Sequence, residues 1–214
     1  MSLLPQIEQS LQALAIDSSA GIAPLAKSIE RYLALIEKWN RVHNLTAIRD
    51  PRDMLVQHIM DSLAVVPHIC GPRIVDAGTG AGLPGIPIAL ARPDWQITLV
   101  ESNQKKAVFL QQVKIELALH NVEIRAQRIE DVRLTGTVDT IITRAFSELG
   151  KFVALTRNLT AENDADRRWV AMKANCADSE LQQIVDPFYL ETIIPLTVPG
   201  LDAARQLVII KQRI

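Results

Sequence analysis

The run Ile74-Val75-Asp76-Ala77-Gly78-Thr79-Gly80-Ala81-Gly82-Leu83-Pro84-Gly85 carries the residue types that a nucleoside-bearing ligand needs. A β-rich stretch ends in an acid, and a glycine-rich turn then leads into a helical stretch. Glycine admits φ > 0 and lets the backbone come close to a ligand. Free N–H groups at a helix start favour a carboxylate or phosphate. A purely structural glycine turn is the plain alternative. Gly80–Gly85 matches G-x-G-x-x-G, and Glu101 follows Gly80 by 21 residues. That spacing suits a carboxylate on the ribose hydroxyls of a dinucleotide, so the hexapeptide fits NAD as well as any other adenosine-bearing ligand. Gly78 and Asp76 start the turn earlier than the dinucleotide pattern does. An acid beside the ligand also suits an amino group or sulfonium better than a pyrophosphate. Both features tilt the choice toward S-adenosylmethionine. Asp76 has a second reading as a cap on the turn backbone, and Glu101 as an exposed strand end. Ile129 and Glu130, in Arg128-Ile129-Glu130-Asp131, are placed to flank an adenine ring and touch its edge, or to form an ordinary solvated turn.

The elements that must position these residues change character near Cys70-Gly71-Pro72. Before it, apolar residues recur at helical spacing: Leu3, Ile7, Leu11 and Leu14 on one face, and Ile29, Leu33, Ile36 and Val42 on another. Pro24 suits the start of the second helix. Asp50-Pro51 marks a third, which carries Met54, Leu55, His58, Ile59 and Ser62. After Pro72, Arg73–Ala77, Ile97–Glu101, Val122–Ala126, Thr137–Thr143 and Trp169–Lys173 read as strands. Pro84–Ala91, Asn103–His120 and Ser147–Leu159 read as intervening helices. Tyr189–Ile194 and Gln206–Lys211 read as a closing strand pair. Alternating strands and helices predict a doubly wound α/β fold, with a mostly parallel seven-stranded sheet and an N-terminal helical extension. Residues 1–70 then form a helical cap and 71–214 the ligand-binding domain of one compact unit.

Composition narrows the function classes. The 214 residues hold 23 Lys plus Arg against 24 Asp plus Glu, a net charge of −1, with 48% hydrophobic and 22% charged residues. These values exclude wholesale disorder and a basic nucleic-acid arm. The longest uncharged stretch, 77–91, is broken by glycine and proline and falls short of the roughly 20 apolar residues of a membrane span. The first basic residue is Lys27, so no signal peptide is expected. The two cysteines, Cys70 and Cys176, predict reduced thiols and a cytoplasmic setting. Scattered histidines and distant cysteines predict no metal site.

Asn44-Leu45-Thr46, Asp50-Pro51-Arg52, His58-Ile59-Met60-Asp61-Ser62, the Asp76–Gly85 loop and Arg144-Ala145-Phe146 occur in this order along nearly the whole chain. In these five markers the chain resembles the bacterial small-subunit ribosomal RNA guanine-N7 methyltransferases, the glucose-inhibited division protein B family. The resemblance implies a Rossmann-like class I methyltransferase fold and transfer of a methyl group to one guanine in 16S rRNA. It also implies S-adenosylmethionine at Gly78, Gly80, Leu83, Glu101, Ile129, Glu130 and Arg144, beside Asp76 from the reading above. Two positions depart from the pattern: Ala174 stands after Lys173 where glycine is expected, and Glu101 stands where Asp is also common.

Guanine N7 has a lone pair and no proton, so its methylation needs alignment and no general base. No residue is therefore firmly catalytic, and Arg144 is the candidate for positioning. Its charge at the end of an apolar strand needs a partner: the cofactor, a phosphate, the guanine O6/N7 edge, or a salt bridge to Asp76 or Glu101. Phe146 is placed to stack on a splayed base or to join the core. His58 and Asp61 suit a substrate wall or a buried pair with each other, and Asn44 a substrate contact or a turn. Cys176 is the one cysteine placed for pyrimidine-carbon chemistry and reads as a bystander. Arg49, Arg52, Lys105, Lys106, Arg144, Lys173 and Arg205 are the cations available to RNA. The expected partner is 16S rRNA or the small ribosomal subunit, with no membrane and no metal, and a monomer as default. A NAD-dependent oxidoreductase and a non-catalytic ribosome-assembly factor remain the alternatives.

Overall fold

The computed structural model describes residues 2–16, 18, 21–144, 146, 148–159 and 166–213. The chain opens with α1 (Leu4–Ala13) and α2 (Ile22–His43). Ile7 and Leu11 of the first, and Leu25, Ile29, Tyr32, Leu33 and Ile36 of the second, are buried at three- and four-residue spacing. Val42, expected on the same face, is instead 74% exposed. It stands six residues past Ile36, which rotates it away from the apolar stripe, and Asn40 takes the buried i+4 position. The helix begins at Ile22, two residues before Pro24, which still sits in the first turn where N–H groups lack intrahelical partners.

Asp50 stops the connecting loop by accepting the Arg52 N–H at 2.7 Å, an N-cap that starts α3 (Pro51–Met54). The expected third helix then changes pitch: Leu55–Met60 is π-helical and α4 (Asp61–Leu63) follows. Such wide turns are frequent at functional sites, and this one carries His58.

Seven strands form one sheet: β1 (Arg73–Ala77), β2 (Gln96–Val100), β3 (Val122–Arg125), β4 (Thr140–Thr143), β5 (Arg168–Lys173), β6 (Phe188–Leu196) and β7 (Arg205–Gln212). Their order is β3-β2-β1-β4-β5-β7-β6. The first five strands pair in parallel, whereas β7 runs antiparallel between β5 and β6. Ile74–Ala77 and Thr140–Thr143 are buried throughout, as strands covered on both faces must be. The connecting helices are α5 (Gly85–Ala91), α6 (Gln104–Glu116), α7 (Leu149–Thr156) and the short α8 (Asp178–Leu181).

Most element ends differ from expectation by a residue or more, among them the following three. β4 starts at Thr140, not Thr137, because Asp139 turns aside to accept the Arg73 N–H at 2.7 Å. α6 ends at Glu116, before Ala118 with φ +52°. The third intervening helix begins at Leu149 and closes in a tighter turn, Arg157–Leu159; its expected first residue, Ser147, lies outside the described residues. No described helix is long and apolar enough to cross a membrane.

The cap shares one apolar core with the sheet, in which Ile7, Tyr32, Ile36 and Ile59 pack together with Leu99, Phe109 and Leu207. One polar contact ties this core to the glycine loop: the fully buried Tyr32 hydroxyl donates to the Ala81 carbonyl at 2.6 Å. Tyr32→Phe strands that buried carbonyl, a loss of about 1–3 kcal/mol. Urea unfolding is expected to show a lower midpoint with an unchanged slope.

Candidate active site

The loop after β1 is built on a buried acid. Asp76 has no exposed surface, and its Oδ2 accepts from Thr79 Oγ1 at 2.6 Å and from the Gly85 N–H at 2.7 Å. Its Oδ1 is buried without a hydrogen-bond partner among the described residues. Burial pushes its pKa up to about 6, against the pull of those two donors. The backbone N–H groups of Gly78 and Thr79 both reach the Val100 carbonyl, at 3.0 and 3.1 Å, which hangs the loop on the end of β2. Gly80 has φ +62°, and a side-chain carbon added there would meet nothing within 4 Å. Glycine is needed here for conformation, and the space beside it is open. Gly82, at φ +95°, is different, since an added carbon would lie 2.5 Å from Ile86 and 2.9 Å from the Tyr32 hydroxyl.

Glu101 closes this loop from the other side. Its Oε2 accepts the Gly80 N–H at 2.9 Å and its Oε1 the Asn103 N–H at 2.7 Å. An ionised carboxylate has about four lone-pair sites, so each oxygen can still take a hydroxyl donor. Asn103 in turn caps α6 through the N–H groups of Lys105 and Lys106.

Between the loop, the turn after β3 and α7 lies a cleft of about 340 Å³, lined among others by Gly78, Glu101, Ile129, Glu130, Phe146 and Lys151. Four of the expected cofactor residues therefore meet around one space, with Gly80 bonded to its rim. Three do not line it. Asp76 lies beneath the loop and acts through the backbone it holds. Leu83 is 4% exposed and belongs to the core. Arg144 faces another cavity. Phe146, expected either to stack on a base or to join the core, packs against the core with its ring centroid 5.6 Å from that of Phe152 and lines this cleft.

The second cavity, of about 260 Å³, lies where the cap meets the carboxyl ends of β4 and β5 and the start of β7. It is lined by Gln57, His58, Asp61, Arg144, Lys173 and Arg205, with Ile48, Met172 and Ala174. Arg144 Nη1 donates to the Gln57 carbonyl at 3.1 Å and lies 3.5 Å from Asp61 Oδ2. Its anionic partner is thus Asp61, and neither Asp76 nor Glu101. The reason is placement, since Asp76 is sealed under the loop and Glu101 lines the other space. Arg205 Nε donates to Asp61 Oδ1 at 3.0 Å. Lys173 donates to the Phe146 carbonyl at 3.0 Å and pairs with Glu180. His58 and Asp61 do not pair with each other. His58 Nε2 bonds Thr46 Oγ1 at 2.7 Å, and burial, then Arg144, pulls its pKa down to about 4. The imidazole is neutral at physiological pH.

Other expected positions fall outside both spaces. Asn44 ends α2 in a left-handed conformation, φ +47°, and is a turn former. Arg49, Arg52 and Lys105 are exposed and Lys106 is half-buried; Arg52 lines a separate hollow beside α1 and α2. The Cys176 thiol is pushed up by burial and by Glu180, whose Oε2 lies 3.7 Å away, the reverse of what a nucleophile needs. Tyr32, Thr79, Gln57 and Lys151 escaped the sequence reading. Of these only Thr79, inside the glycine motif, stood where a signal existed. No group of three or more metal-ligating side chains occurs among the described residues.

Known proteins share both the sequence and the architecture. The family described as rRNA small subunit methyltransferase G matches residues 25–209. A protein of Nitrosomonas eutropha named ribosomal RNA small subunit methyltransferase G is 52% identical over 99% of this chain and 98% of its own. One of the same name from Nitrosospira multiformis is 53% identical over 90% of this chain and 94% of its own. Among solved structures, magnesium protoporphyrin IX methyltransferase from Synechocystis, with bound SAM, superposes with a TM-score of 0.57. It is 15% identical and covers 85% of this chain and 97% of that one. The architecture is that of class I methyltransferases, and the chain belongs to the rRNA small subunit methyltransferase G family.

Proposed function

We propose that the chain uses S-adenosylmethionine to methylate N7 of a guanine in 16S rRNA. The observation that carries this reading is the pairing of two spaces at the carboxyl ends of the parallel strands. One is edged by the glycine loop, with Glu101 and Glu130 beside Arg128 and Lys151; the other gathers Arg144, Lys173 and Arg205 around Asp61, with a neutral histidine. Arg144 and Phe146, two residues apart, face one space each. Ligands of open α/β sheets bind at this edge. The antiparallel β7 between β5 and β6 departs from the 3-2-1-4-5-6 order of dinucleotide folds, which weighs against NAD.

The loop suits the cofactor. The open space at Gly80 admits close backbone approach, Glu101 retains acceptor capacity for hydroxyls, and Ile129 with Phe146 offers an apolar slot for a planar ring. S-adenosylmethionine supplies an electrophilic methyl group on a sulfonium. Gly78, Gly80, Glu101, Ile129 and Glu130 would hold it, with Asp76 setting the loop from below. Residues 1–70 act as a cap that walls the acceptor space, and 71–214 hold the cofactor.

Among the described residues the acceptor side has no acid–base pair to deprotonate a nucleophile, and N7 needs none. Holding two reactants in line is worth about 7–11 kcal/mol. An arginine fork on O6 and N7 together would occupy the lone pair that must attack. Arg144 and Arg205 therefore suit O6 alone or a backbone phosphate. The neutral His58 adds no repulsion as the base becomes cationic. The raised Cys176 thiol disfavours the carbon-methylation route.

Three outcomes test this reading. Wild-type protein transfers methyl groups to rRNA from cells lacking it, at a guanine cleavable after borohydride and aniline. Transfer to any other atom overturns the assignment. Glu101→Ala weakens S-adenosylmethionine binding by tenfold or more, about 1.4 kcal/mol, in calorimetry that shows no binding of NAD to the wild type. Cys176→Ser turns over at the wild-type rate, and its loss of turnover with cofactor binding intact favours covalent chemistry instead.

A further inference from the structure

Two arginines that reach the acceptor cavity from different strands share one carboxylate. Asp61 comes from the cap and is 3% exposed. Its Oδ1 accepts from Arg205 Nε at 3.0 Å, and its Oδ2 lies 3.5 Å from Arg144 Nη1. The two arginine side chains are 22% and 26% exposed, so they open onto the cavity while their charges are held below it. Backbone carbonyls fix their orientation further, Ala204 on Arg205 Nη1 at 2.9 Å and Gln57 on Arg144 Nη1 at 3.1 Å. A guanidinium has five N–H donors in a rigid fork, and these contacts engage only part of each fork.

Asp61 is the one acid among the described residues lining this cavity. Lys173 is neutralised separately by Glu180. Two guanidiniums and one carboxylate leave a local charge of +1, which favours a single anion. Without the carboxylate, two like charges in a partly desolvated space would repel, and two long side chains would regain their rotamer freedom. The carboxylate therefore decides where the forks point.

Building on the rRNA methyltransferase reading, we infer that Asp61 is a positioning residue: it fixes Arg144 and Arg205 as one clamp on a backbone phosphate of the RNA beside the target base. The base itself is the poorer occupant, because with N7 kept free it offers these forks only O6, whereas paired guanidinium forks match the oxygens of a phosphodiester. The contact spans the cap, the end of β4 and the start of β7, so binding of that phosphate also registers the cap against the sheet.

The full-length protein, with rRNA from cells lacking it as substrate, provides the test. Asp61→Asn is expected to lower kcat/KM about 100-fold, mainly through KM, as for groups displaced by about 1 Å, with S-adenosylmethionine affinity unchanged. Placed in an Arg144→Ala/Arg205→Ala background, Asp61→Asn adds no further loss, because its effect passes through those two residues. Asp61→Glu restores part of the activity. Equal losses in both backgrounds, or a parallel fall in cofactor affinity, assign Asp61 a merely structural role and overturn the inference. Arg205→Met, which leaves Asp61 paired with Arg144, gives an independent measurement if Asp61→Asn does not fold. Its RNA affinity falls, and the dependence of log K on log salt becomes shallower by about 0.7–0.9. An unchanged salt dependence with relaxed choice of base overturns the phosphate clamp. Wild-type protein that leaves rRNA unmethylated overturns the underlying reading, whereas active wild type with an equally active Asp61→Asn overturns this inference alone.

Discussion

A carboxylate with no exposed surface sits where the glycine loop turns into α5, and the site is built outward from it. Asp76 takes the Thr79 hydroxyl and the Gly85 N–H on one oxygen, fixing both ends of the loop at a single point. The Val100 carbonyl and Glu101 then take the N–H groups of Gly78, Thr79 and Gly80. A loop this rich in glycine loses much conformational entropy on ordering, and these contacts oppose that loss. The arrangement costs stability. The folded pKa of about 6 exceeds the ordinary value of 3.8, so between about pH 4 and 6 the folded state holds more protons than the unfolded chain. Stability therefore falls as pH rises through that window, by about 3 kcal/mol in total for this group. A neutral residue would relieve that cost, and with it the negative field directly beneath the proposed cofactor cleft.

The cap extends the same logic to the acceptor side. It reaches the loop through Tyr32 and Ala81, and the acceptor cavity through Gln57, His58 and Asp61. The π-helical turn Leu55–Met60 lies among these contacts. A wide turn offsets the register of the side chains that follow, so Asp61 meets Arg205 and Arg144 while His58 turns to Thr46. Because the cap and sheet share one apolar core, packing holds this wall against the sheet.

Local patterns made the fold legible. Strand after strand sits within a few residues of its apolar run, and Asp50-Pro51 and the Asp76–Gly85 motif announce themselves through capping and turn chemistry. The glycine, acid and Ile129 positions around the proposed cofactor cleft are local signals too, because they stand at or just past the ends of β1, β2 and β3. What escaped was long-range or directional. Nothing local to Arg144 selects Asp61 over Asp76; the choice depends on which acid is sealed beneath the loop. Tyr32 looks like any core aromatic until Ala81 is placed above it. Val42 failed for a simpler reason, since six residues of helix do not return to the same face. Arg144 and Phe146 lie two residues apart past the end of β4 and face different spaces, a split that no local pattern announces.

The net charge of −1 takes on a different meaning once its parts are placed. At the acceptor cavity each cation has a counterion or carbonyl within reach: Asp61 for Arg144 and Arg205, Glu180 for Lys173. Such pairing weakens the long-range field that would draw in any polyanion, while leaving rigid donor forks at short range. A protein built this way gains little from RNA in general and much from a phosphate at one position. The balanced composition excludes a basic arm, yet it is compatible with RNA recognition when the acids are spent on aiming the cations.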